Sequence, residues 1–188
     1  MKQLANEQLT DTTNNIWRVI NKHKRLIIVI VVIAIVGYLV FGRSSGLTQE
    51  KFQDKIYKVS NGVIDINDSK IEKVGDGSSV YMAKWNGFTI TASVDSKDRI
   101  IFPYGVIGLP SNQMDEISLG QYQEIMKALS SLADSKLSDE DKERLILNDL
   151  NFNNVIETGT KHFASKNGIK YELIGTEGVL LFMLGNKK

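Results

Sequence analysis

Hydrophobic positions along this chain follow three patterns in succession. The first is continuous. Leu26–Gly42 runs for seventeen residues without a charge, rich in Ile and Val, between Lys22, Lys24 and Arg25 on one side and Arg43 on the other. In hydrocarbon every backbone N–H and C=O must be bonded internally, so a lone segment this apolar crosses only as a helix. At about 1.5 Å per residue it spans roughly 25 Å, slightly less than a ~30 Å core. Arg25 and Arg43 can snorkel to make up the difference, with Tyr38 and Phe41 near one interface. The pattern predicts a single transmembrane helix at residues 26–42, in contact with the lipid bilayer. A cleaved signal peptide fits less well: 25 residues precede the run, and no Ala-x-Ala-like site comes before Arg43.

The second pattern has helical spacing. Phe52, Ile56 and Val59 share one face of a helix predicted over 47–59, with Thr48 as N-cap and Asn61-Gly62 as its end. Leu119, Tyr122, Ile125, Met126, Leu129, Leu132 and Ala133 form a longer stripe behind Ser118, which stands three residues before Gln121 as in a capping box. Ser138, followed by Asp139, Glu140 and Asp141, starts another helix carrying Leu145, Ile146 and Leu150. These two helices are expected to form a helical hairpin.

The third pattern has period two. Residues 80–85 and 88–94 alternate around Asn86-Gly87, among the strongest hairpin signals a sequence offers. A further strand is expected at Arg99–Phe102, ended by Pro103, with a loop from Gly105 to Gln113. The pattern returns at 161–165, 169–174 and 179–184, with Asn167-Gly168 as the turn.

Ala83–Ile90 resembles Ala164–Tyr171, and Ile100-Ile-Phe102 resembles Leu180-Leu-Phe182. The similarity reads as a degenerate helix-plus-meander repeat, or simply as two hairpins that share a turn type. Either way the expected class is α+β: antiparallel meanders packed against helices. The organisation expected is a short cytoplasmic tail at 1–25, the helix at 26–42, a stalk at 43–47 and one extracytoplasmic domain at 48–188.

Charge sets the orientation. Arg18, Lys22, Lys24 and Arg25 precede the apolar run, whereas Arg43 is soon followed by Glu50, Lys51, Asp54 and Lys55. The positive-inside bias puts the N-terminus in the cytoplasm and residues 43–188 outside a cytoplasmic membrane. Residues 44–188 hold 17 basic and 20 acidic side chains, a formal charge of −3, which gives no electrostatic case for nucleic acid.

Candidate chemistry is sparse. With no cysteine, disulfides, thiol nucleophiles and cysteine-held metals are excluded together. His23 sits in the basic tail. His162 lies in a strand between Lys161 and Phe163 and is expected to be an ordinary, partly exposed strand position. Asp65-Ile-Asn-Asp-Ser69 begins like a calcium loop, but Lys70 stands where glycine is needed and Asp76 where a glutamate is needed, so a polar turn is expected. No catalytic, cofactor-binding or metal-binding residue is assigned.

Aromatic residues are the remaining lead. Tyr81 and Trp85 are taken as candidate protein-binding residues, on the strand face away from Phe88. The alternative is a second face packed beneath the helices. The expected function is therefore a non-enzymatic, single-pass, bacterial-type module that binds a protein partner outside the membrane, as immunity or exclusion proteins do. The rival is a bitopic structural subunit of a secretion or conjugation assembly.

Overall fold

The computed structural model describes residues 46–74, 77–109, 113–176 and 178–186. The expected tail, transmembrane helix and most of the stalk lie outside these. Among the described residues no helix is long and apolar enough to cross a membrane.

The chain folds as α+β, with a seven-stranded antiparallel sheet and helices. In chain order the elements are α1 (Gln49–Val59), β1 (Asp68–Lys73), β2 (Ser79–Trp85), β3 (Phe88–Val94) and β4 (Ile100–Gly108). There follow α2 (Glu116–Ala133), α3 (Asp139–Arg144), a π-helical turn (Leu145–Asp149), α4 (Phe152–Thr158), β5 (Lys161–Lys166), β6 (Ile169–Gly175) and β7 (Leu180–Asn186). The strand order across the sheet is β1-β2-β3-β4-β7-β6-β5.

Helix α1 starts where Thr48 accepts the Lys51 N–H. It stops where Asn61 and Gly62 turn left-handed and the Gly62 N–H reaches the Tyr57 carbonyl. Its buried residues are Phe52 and Ile56. Phe52 stands edge-on to Tyr81 at 5.2 Å and to Tyr104 at 5.4 Å, which pins the helix over the first half of the sheet. Helix α2 covers the middle. Tyr122 meets Phe88 edge-on, and its hydroxyl donates to the Val106 carbonyl.

Several boundaries differ from the sequence reading, each for a local reason. Pro103 does not end β4. A bulge opposite Ala92 and Ser93 takes up Phe102 and Pro103, so no ladder donor is needed there and the strand continues to Gly108. Helix α2 starts three residues early because Asp115, not Ser118, is its N-cap and accepts the Ser118 N–H at 2.8 Å. Ser138 does cap α3, in a reciprocal box with Asp141. The helix predicted through Leu150 is α-helical only to Arg144 and π-helical over Leu145–Asp149, and after Asn151, which takes φ +49, α4 follows unforeseen. Part of the polar turn predicted at 65–69 is the start of β1.

The two Asn-Gly turns match. Asn86 and Gly87 have φ +46 and +85; Asn167 and Gly168 have φ +52 and +81. Both sit in two-residue hairpins, flanked by the pairs Trp85↔Phe88 and Lys166↔Ile169. Counting from these turns, Ala92 corresponds to Leu173, so its partner Tyr104 corresponds to Phe182. The two residues at the bulge shift the match away from Phe102.

Three glycine-to-alanine variants test these geometries by urea unfolding. Gly87 and Gly168 have open space where a methyl group would stand, so only backbone strain counts, about 1–2 kcal/mol each and alike in the two hairpins. At Gly175 a Cβ would lie 2.7 Å from the Val155 carbonyl, which should lift α4 off the sheet at about 3 kcal/mol.

Candidate protein-binding surface

Directly opposed residues of an antiparallel pair share a face. Trp85 pairs with Phe88 and Tyr81 with Ala92, so both candidate aromatics lie on the helix-covered side, together with Phe88. The expectation that they face away from Phe88 is corrected. A two-residue turn carries the alternation straight across, and counting each strand separately loses that. Tyr81 is fully buried; its hydroxyl accepts from Gln53 Nε2 at 3.3 Å, and burial pushes its pKa up. Trp85 is half-buried against the core.

The other side of the sheet follows from the same register. One row across it reads Lys70, Met82, Thr91, Gly105, Met183, Glu172, Phe163. The next reads Asp68, Lys84, Thr89, Ile107, Leu181, Ile174, Lys161. Its middle is therefore apolar or small, and its two margins are charged. Val80 and Leu181 lie on this side and are buried, yet they stand apart from the core cluster beneath the helices. The Ser93 hydroxyl is also buried here, with no hydrogen-bond partner among the described residues.

At the β5 margin the charges gather round one aromatic ring. Phe163 is 50% exposed, and the Lys161 and Lys170 ammonium groups lie 4.7 Å and 4.5 Å from its ring centroid. Both lysines also pair with Glu172, which is nearly buried: Lys161 closely and Lys170 at 3.7 Å. Two cations thus share one carboxylate beside an exposed phenyl ring. In the sequence these residues are separated by a turn, and only the strand register brings them together.

The β5–β6 hairpin is held to the helices at its turn. Lys166 Nζ binds Asp141 Oδ1 at 2.6 Å, and Asn167 Nδ2 donates to Asp134 Oδ2 at 2.6 Å. His162 lies on the same side, opposite Leu173 and half-buried. Asp65 is exposed between the buried Ile64 and Ile66, which tie that segment down. Among the described residues no group of three or more His, Asp and Glu side chains is placed to hold a metal ion. No family model, curated protein or solved structure matches the chain.

The Asp141 carboxyl is held down to about 2 from its ordinary 3.8, first by the Lys166 hydrogen bond and then by those from Ser138. A depressed folded-state pKa adds stability that is complete above about 4 and is lost as the pH falls through about 2. Asp141→Asn should lower the urea midpoint at neutral pH, and should flatten the acid dependence between pH 4 and 2 relative to the parent chain.

Proposed function

We propose that the chain is a non-enzymatic, bacterial-type protein-binding module, held by a single-pass helix at residues 26–42 with its α+β domain outside the cytoplasmic membrane. The observation that carries the binding half is the asymmetry of the sheet. All the described helices whose contacts place them gather on one side, while the other has an apolar or small middle, with Met82, Ile107 and Met183 half-buried, between charged margins. An apolar centre with a polar rim is the usual anatomy of a protein interface. Support for the membrane half is the uncharged run itself and the positive charge that precedes it. Tyr81 and Trp85 serve this reading by packing the sheet against its helices. The contact surface we assign is the opposite side, around Met82, Ile107 and Met183. We further read the two matched meanders as a degenerate repeat.

Two measurements test the proposal. The chain lacks cysteine, so a single Lys97→Cys or Gln8→Cys change adds the only thiol. A membrane-impermeant maleimide should label the first in intact cells and the second only after lysis; the reverse pattern would overturn the orientation. A photo-crosslinking residue at Met82 or Ile107 of the full-length protein, in its native envelope, should capture one dominant partner that the same probe at Glu143 does not. Several membrane proteins in fixed ratio, lost when the 26–42 helix is exchanged for an unrelated one, would instead favour an assembly subunit.

A further inference from the structure

The matched meanders differ in one respect that bears on how a partner is held. In the first, β2 is not an edge, because β1 pairs with it from Asp68↔Lys84 to Lys73↔Ser79. In the second, the corresponding strand β5 is the last of the sheet. Counting from the Asn-Gly turns, Phe163 corresponds to Met82 and Lys161 to Val80, which face Lys70 and Glu72 of β1. No described strand occupies that position beside β5.

We infer that the β5 edge accepts an extended, acidic segment of a protein partner as an eighth antiparallel strand, at the place that corresponds to β1. This rests on the protein-binding reading above and deepens it by naming the segment's chemistry and its point of attachment. In an antiparallel pair, residues alternate between bonding one neighbour and the other. The turn-flanking pair Lys166↔Ile169 is a hydrogen-bonded one, as are Ala164↔Tyr171 and His162↔Leu173. Lys161, Phe163 and Ser165 therefore direct their N–H and C=O groups outward. Pairing at an open edge supplies main-chain bonds, while alternate side chains supply the choice of partner.

Charge decides the occupant. Among the described residues Lys161 and Lys170, which flank Phe163, share only Glu172, so these three groups carry one net positive charge beside an exposed ring. An acidic side chain opposite Lys161 would meet it, as Glu72 occupies the matching position opposite Val80. A second copy paired through β5 would instead bring two such positive clusters together, which like-charge repulsion disfavours.

The test uses full-length protein in detergent and two fluorescent β-prone heptapeptides, Thr-Glu-Val-Glu-Val-Glu-Thr and the same sequence with lysine for glutamate. Anisotropy should show the acidic peptide binding at least ~10-fold more tightly than the basic one. Ser165→Pro removes an outward N–H that β6 does not use, so it should weaken binding ~10-fold with little change in the thermal midpoint. Phe163→Ala, at a half-exposed side chain, serves as the second variant and should weaken binding too. On binding, hydrogen exchange should slow at Lys161, Phe163 and Ser165. Equal affinity for both peptides, no binding, or binding indifferent to both variants would overturn the inference. Binding that appears only after residues 1–25 are removed would assign the edge to the chain's own tail and overturn it as well. If β5 proves silent while crosslinks from Met82 and Ile107 persist, this inference fails and the broader reading stands; loss of both removes both.

Discussion

The architecture depends on the alternation that the two Asn-Gly turns impose. A two-residue turn with both residues at positive φ matches the twist of its strands and sets the flanking residues directly opposite each other. Trp85 is thereby fixed against Phe88, and Lys166 against Ile169. Because strand side chains have period two, a slip of one residue would move every one of them to the other side. The helices have a face to pack on because Tyr81, Ile90, Tyr104, Val106, Phe182 and Tyr171 all fall on the same side.

Once that side is defined, the helices can be placed by their large residues. Phe52 fits between Tyr81 and Tyr104, and Tyr122 lies over Phe88. Burial pushes the Tyr104 phenol up to about 12, consistent with a hydroxyl held in dry surroundings. The polar ties include Gln53 to Ser69 and Tyr81, Tyr122 to the Val106 carbonyl, Lys166 to Asp141 and Asn167 to Asp134. The opposite side of the sheet gains its character from what remains.

Class and most elements were legible in the sequence because local signals agreed with the packing. Thr48, Ser138, Asn86-Gly87 and Asn167-Gly168 each act locally as their chemistry requires. The misplacements came where a tertiary neighbour decides. Pro103 stays inside β4 because a bulge excuses its missing donor, and the helix that periodicity alone would continue through Leu150 turns π-helical at Leu145. The surface was harder to read. Tyr81 and Trp85 went to the wrong side because register is carried by the pair across the turn, not by either strand alone. Phe163 gives no signal in the sequence because Lys170 and Glu172 become its neighbours only through the β5–β6 ladder. The resemblance of the two meanders was visible, but the bulge displaced one equivalence from Phe102 to Tyr104.

The middle of the sheet also has a history during synthesis. β4 pairs on one side with β3, which is made just before it, and on the other with β7, whose pairs run from Tyr104↔Leu184 to Gly108↔Leu180. Between Gly108 and Leu180 the chain must add α2, α3, α4, β5 and β6. Until it does, a nascent chain carries Tyr104, Val106 and Ile107 along an unpaired edge, and closing such a distant contact is slow. Folding of this domain is thus most exposed to misassociation at the strand that ends up most protected, where a holding chaperone would have most to do.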